Sequence, residues 1–197
     1  MNRWTLVVTT FLCAIIGLWP GRADAQQEAH PRTTFADGSH TLTDPDGLEM
    51  TYLARHDGRQ PVRLTSQIGR RLPATVTATG KAALASLDQD DLDRRLAGLW
   101  ELPVLTPKSI GSVAALRADL TAVRGRGYAM DDEETVEGVV CFGVAIPGRR
   151  PGEGPYAASI TLLKVRATFE RVPMLVEDLH RLARRLSDPL HVERGRG

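Results

Sequence analysis

Cysteine is nearly absent from this sequence: Cys13 and Cys141 are the two among 197 residues. Two cysteines build neither a disulfide framework nor a four-cysteine zinc site. The five histidines, His30, His40, His56, His180 and His191, show no ligand spacing, so neither a metal nor another cofactor is expected. Aromatic residues are 5% of the chain, too few for a surface that stacks on bases. Charge of either sign is not in excess: the formal net charge is +1, and no global field recruits nucleic acid or membrane. The chain has no internal repeat and no G-x-S-x-G elbow. Gly80-Lys81 lacks the upstream glycine of a phosphate-binding loop.

What is present is a hydrophobic fraction of 42%, enough for a real core, in a length that suits one domain with extra terminal material. The chain turns around Arg124 to Ile146, RGRGYAMDDEETVEGVVCFGVAI. A helix is expected to end at Arg124, with Gly125 and Gly127 free to take positive φ. An acidic run, Asp131 to Glu134, follows, and then Val139 to Ile146, a short β-branched run that reads as a buried strand before Pro147-Gly148. Period-two alternation puts Val140, Phe142, Val144 and Ile146 on a bulky face. Val139, Cys141, Gly143 and Ala145 form a mostly small one. A buried strand with one small face leaves room for a close-packed helix or for a ligand.

The start of the chain reads as a secretory signal over 1–25: Arg3 as the n-region, an apolar stretch from Trp4 to Trp19, and Ala23-Asp24-Ala25 as a cleavage site. An uncleaved anchor, or a start region foreign to the original gene, are the other readings. Residues 26–40 are polar and unpatterned, a disordered lead-in. The domain proper spans 41–190, and 191–197 is a frayed tail.

Within the domain, Thr41–Thr43 and Leu48–Arg55 flank Asp44-Pro45-Asp46-Gly47 as a β-hairpin. Val62–Leu64 is a short extended piece, and Gly69-Arg70-Arg71-Leu72-Pro73 is a loop with solvated arginines. Gly80-Lys81 opens a helix through Leu87, and the N–H groups of its start could hold a small carboxylate. Asp88 caps a second helix with Leu92, Leu96 and Leu99 as its stripe; Leu102–Pro107 is a loop. Ser112 caps a third helix with Leu116, Leu120 and Val123 inside. After the loop GRRPGEGP, Tyr156–Lys164 is a strand with Ala158, Ile160 and Leu162 on one face and Ala157, Ser159 and Thr161 on the other. Paired with Val139–Ile146, it would set those hydroxyls beside Cys141 and Gly143. Val172–Leu186 is the last helix, with Leu175, Leu179, Leu182 and Leu186 as core, ended by Asp188-Pro189.

The order of these pieces resembles the effector-binding domain of IclR-type transcriptional regulators. The resemblance lies in RLTSQIGRRLPATVTATGKAALASL (Arg63–Leu87), LTPKSI (Leu105–Ile110), LRADLTAVRGRGYAMDDEE (Leu116–Glu134) and EGVVCFGVAI (Glu137–Ile146), together about Gly47 to Leu190. It implies an α/β (α+β) GAF-like fold, a curved antiparallel sheet with helices on both sides. It also implies a small organic effector, a carboxylate or aromatic catabolite. The family's pocket draws on the small pair before Gly-Lys, here Ala78 and Thr79, on Asp131, on Cys141, and on a Ser-x-Ser pair matched here by Ser159 and Thr161. SITLLK stands where the family has Ser-x-Ser-Gly-Pro. A homodimer or tetramer and a cytoplasmic location are also implied by resemblance, with a periplasmic or secreted location if 1–25 acts as a signal. Met1 to Asp46 has no helix-turn-helix pattern, so no DNA binding is expected from this chain alone, nor membrane association unless the first segment stays uncleaved.

The leading functional reading is therefore a ligand-sensing module whose effector is held by Ala78, Thr79, Gly80, Cys141, Ser159 and Thr161, with Asp131 orienting a donor or a ligand hydroxyl. The alternatives are an oligomerising interaction protein that pairs with full-length relatives, or an exported metabolite-binding module. An enzyme is not expected, because a cysteine in an apolar strand is ordinarily an inert thiol.

Overall fold

A computed structural model describes residues 9–13, 40–42, 48–55, 68–147 and 156–187; for 9–13, 40–42, 54 and 55 the backbone alone is described. In chain order the elements are β1 (Thr9–Cys13), β2 (His40–Leu42), β3 (Glu49–Tyr52), β4 (Ala54–Arg55), β5 (Arg71–Pro73), α1 (Ala78–Ser86), α2 (Gln89–Leu96), α3 (Val113–Arg126), β6 (Ala129–Asp132), β7 (Val139–Ile146), β8 (Tyr156–Leu163), a 3-10 turn (Lys164–Arg166) and α4 (Arg171–Ser187). The strands join in one eight-stranded sheet in which all pairings are antiparallel. The expected antiparallel sheet with helices on both sides is what forms. Among the described residues no helix is long and apolar enough to cross a membrane, and no group of His, Cys, Asp and Glu is placed to hold a metal.

The β7–β8 hairpin is the axis of the molecule. Its bulky face carries Val140, Phe142, Val144, Ile146, Ala158, Ile160 and Leu162 against Leu175, Val176, Leu179 and Ala183 of α4. Full burial of a leucine such as Leu175 or Leu179 stabilises by about 1.5–3 kcal/mol. The α4 stripe is rotated slightly from expectation: Val176 and Ala183 are buried, while Leu182 and Leu186 are half-buried flanks. Arg181, Arg184 and Arg185 face solvent.

The small face receives α1, which is buried from Ala78 through Ala85. A helix can lie flush on a sheet only where side chains withdraw. Gly143 withdraws: a Cβ there would sit 2.5 Å from the Ala78 carbonyl oxygen. Gly80 does the same against the Ala74 backbone. So the close-packed helix fills the half of the small face that Gly143 occupies. The α1 start precedes Gly80 because Thr77 is its N-cap, accepting from the Gly80 N–H at 3.1 Å. The other end is tied to α3, where Arg124 Nε donates to the Ala85 carbonyl at 2.9 Å.

The caps of α2 and α3 are those expected: Asp88 accepts from Asp91 N at 2.7 Å and Ser112 from Ala115 N at 3.3 Å. Leu116, Leu120 and Val123 are buried as expected. Several expectations need correction. Helix α3 runs past Arg124 to Arg126, and Gly127 alone takes positive φ (82°) while Gly125 stays helical. Leu99 is not in the α2 stripe; the helix ends at Leu96, Gly98 turns the chain at φ 75°, and Leu99 is exposed. Arg71–Pro73 is a strand rather than a loop, paired with β3, and Arg71 meets Glu49 at 3.3 Å. Half of the acidic run is strand β6. Of the 1–25 signal segment, only Thr9–Cys13 is described, as β1 beside β8. The 26–40 lead-in, apart from His40, the hairpin turn at 43–47, the 62–64 piece, the 148–155 loop and the 191–197 tail lie outside the described residues.

Candidate functional site

The other half of the small face is open. A cavity of about 80 Å³ sits over it, floored by Cys141, Ser159 and Thr161 and walled by Thr77, Ala78 and Thr79 at the α1 start. Tyr52, Arg70 and Leu72 close it from the β3–β5 side, and Leu105, Asp131, Thr135 and Val136 from the opposite side. Strand register assembles the floor: Cys141 pairs with Thr161 and Gly143 with Ser159, while Asp131 of β6 lies opposite Cys141. Cys141 Sγ and Thr161 Oγ1 are 3.2 Å apart. Of the expected site residues, Ala78, Thr79, Asp131, Cys141, Ser159 and Thr161 come together around the cavity. Gly80 stands apart: its N–H is engaged by Thr77 and it is wedged against Ala74, so its role is close packing.

Burial pushes the Cys141 thiol well above its usual range, and the Asp131 carboxylate adds to the rise. A thiol that keeps its proton is a weak nucleophile and serves as a soft, compact wall. Burial also raises the Asp131 carboxyl, against the hydrogen bonds that lower it. Those bonds show what Asp131 does. Its Oδ1 accepts from the backbone N–H groups of Glu134 (2.7 Å) and Thr135 (3.2 Å), and its Oδ2 from the Thr135 hydroxyl. One side chain thus folds the β6–β7 loop back on itself and aims Thr135 and Val136 at the cavity.

Each other member of the acidic run also has a partner. Asp132 meets Lys164 at 2.6 Å. Glu133 binds Lys108, Lys164 at 2.7 Å and the Gly138 N–H at 2.9 Å; these bonds hold its carboxyl down to about 2. Glu134 turns inward onto Lys81, which is 1% exposed. The segment Leu105–Ile110 fastens the same loop from outside. Thr106 Oγ1 donates to the Glu133 carbonyl (2.6 Å) and Ser109 Oγ to that of Glu134 (2.7 Å).

Sequence reasoning passed over Tyr52, Arg70, Leu72, Thr77, Leu105, Thr135 and Val136. Thr77 carried a usable signal, a hydroxyl three residues before Gly80, which suits an N-cap. Thr135 and Val136 carried none, because a side chain at Asp131 decides where that loop goes. Arg70, exposed as the sequence suggested, is the cationic residue among the lining.

The family model described as "Bacterial transcriptional regulator IclR C-terminal" matches residues 32–188. The HTH-type transcriptional regulator KdgR of Escherichia coli (strain K12) is 34% identical over 165 residues, 84% of this chain and 61% of that protein. The solved C-terminal domain of E. coli KdgR superposes with a TM-score of 0.64 at 29% identity, covering 91% of this chain and 85% of that one. The inducer-binding domain of PobR from Acinetobacter, solved as a double mutant with 3-hydroxybenzoic acid, shares the fold at 22% identity and a TM-score of 0.64, covering 92% of this chain and 88% of that one. The chain spans about half the length of the curated relatives it matches.

Proposed function

Because this chain belongs to the IclR family of bacterial transcriptional regulators through the C-terminal domain of that family, we propose that it senses a small organic acid in the cavity over Cys141. The observation that carries this reading is the polar floor beside a cation. Ser159, Thr161 and the Cys141 thiol lie at the bottom, the α1 start at one side, and Arg70 among the walls. The acid's carboxylate sits toward Arg70 and the α1 start, where guanidinium charge and helix-end amides favour an anion. Its other polar atoms meet Thr161, Ser159 and Thr79. Asp131 holds the loop rather than the ligand. At about 80 Å³ the cavity is far below the roughly 300–1,000 Å³ of drug-sized sites. A short-chain acid therefore fits better than an aromatic catabolite.

Calorimetry against a set of short hydroxy and keto acids tests this. A binder is expected whose affinity falls roughly ten- to a hundredfold in Arg70→Gln, the range for a charge-assisted hydrogen bond, and disappears in Cys141→Leu. Absence of any binder, or affinity unchanged in both variants, overturns it.

A second reading has its own observation. Val165, Phe169 and Met174 stand 87%, 90% and 60% exposed around the start of α4. Such a patch favours association with a second copy or a full-length relative, which sedimentation would reveal as a dimer or tetramer. The segment assignments 1–25, 26–40, 41–190 and 191–197 are proposed alongside. Regulator kinship favours a cytoplasmic location, whereas an N-terminus at Gln26 in the expressed protein would establish processing and export.

A further inference from the structure

Under the loop that covers the cavity, carboxylates from the β6–β7 loop and from α3 converge on one buried ammonium. Lys81 of α1 binds Glu134 Oε1. Asp119 Oδ2 of α3 lies 3.2 Å from the same nitrogen, an ion contact rather than an aligned hydrogen bond, and Arg126 reaches the other Asp119 oxygen at 3.5 Å. Asp131 of β6 and Asp119 both press on Glu134 electrostatically, and the Cys141 thiol of β7 senses Asp131 and Glu134. Glu134 is 6% exposed, and its second oxygen, Oε2, is buried with no hydrogen-bond partner. A charged oxygen in that position is costly, and a neutral one much less so.

The loop has a fixed base and a separable tip. Left-handed residues flank it, Glu133 at φ 66° and Gly138 at φ 75°. Glu133 clamps the base through Lys108, Lys164 and the Gly138 N–H. The tip, Glu134 to Val136, is held by the Asp131 bonds, by the Ser109 hydroxyl on the Glu134 carbonyl at 2.7 Å, and by where the Glu134 side chain goes.

We propose that Glu134 is a proton-operated catch on this loop: a proton taken from solvent onto its carboxylate keeps the tip shut over the cavity, and loss of that proton favours a tip turned toward water. The sign follows from burial, which lifts the Glu134 carboxyl from 4.5 to about 7 against the pull of Lys81. The shut form therefore binds the proton more tightly than a solvated loop does. Opening rises with pH between these values, by up to about tenfold per unit, and levels off above the higher one. A consequence, which rests on the cavity being the ligand site, is that binding of an acid under the shut loop is accompanied by uptake of part of a proton by Glu134 near neutral pH.

Hydrogen–deuterium exchange on the ligand-free full chain tests the catch without any effector, so a failed search for binders leaves it standing or falling by itself. Protection of the Glu134 and Thr135 amides, corrected for intrinsic rates, is expected to fall up to about tenfold per unit from pH 5 to 7. It is then expected to flatten, and to lose this slope in Glu134→Gln. The same slope in Glu134→Gln would assign the effect to Asp131 and overturn the proposal, as would protection that rises with pH. Should the variant not fold, carbon-detected titration of the wild-type Glu134 carboxyl decides: a midpoint near 7 supports the catch and one below 5 removes it.

Discussion

The two faces of the β7–β8 hairpin are built on different terms. Toward α4, branched hydrocarbon meets hydrocarbon, with Tyr128 and Tyr156 packed at its edge. Toward α1, the sheet offers Cys141, Gly143, Ser159 and Thr161, and the helix brings Lys81 into a site 1% exposed. The first face needs volume, and many apolar residues supply it. The second needs position: backbone on backbone at Gly143, one ammonium among carboxylates, and a gap left over. A molecule with both can keep its fold on one side while the other is free to hold a guest.

That contrast can be broken in several ways. Lys81→Met leaves Glu134 and Asp119 without their ammonium and should cost about 3–5 kcal/mol in urea unfolding. Adding Glu134→Leu should restore much of that; if the double variant is no better than the single, the charge cluster is not what holds α1. On the opposite face, Leu179→Ala should cost about 3 kcal/mol by the same measurement, because it opens a hole in a packed cluster. Gly143→Ala should cost about 1–3 kcal/mol through its collision with the Ala78 carbonyl. A tolerated alanine there would mean that α1 has room to lift. Ser112→Ala, remote from both faces, should lose about 1 kcal/mol with its cap.

Neighbouring acids sharpen the contrast by pH. Glu133 is held below its ordinary 4.5, down to about 2, by Lys108 first and then Lys164. Its contribution is complete above 4.5 and is lost as pH falls through 2. Glu134 is shifted upward, so its charge weakens the native state as pH rises from 4.5 toward 7. Stability curves of Glu133→Gln and Glu134→Gln should therefore flatten different limbs, the acid one and the near-neutral one, relative to the parent.

Where structure follows local rules, the sequence was readable. Alternation in Val139–Ile146 and Tyr156–Leu163 sorted both faces correctly, and pairing the strands placed Thr161 beside Cys141. Helix caps at Asp88 and Ser112 were equally plain, since a cap needs only its next turn. What escaped depends on distant partners. Nothing local marks Lys81 for burial; its partner Glu134 comes 53 positions later. Asp131 and Asp132 gave no strand signal, because acids are poor strand formers, yet hydrogen bonds and Lys164 satisfy them there. Arg70 gave no sign of bordering a cavity, because its neighbours across it come from the other end of the domain.

The approach of Ala78 to Gly143 has one more implication. Main chain rests there on main chain, so the recess cannot be deepened without lifting an entire helix. Adapting this scaffold to a bulkier guest has a single direction left, outward, by trimming Tyr52, Leu105 or Val136 at the rim while the bedrock stays untouched.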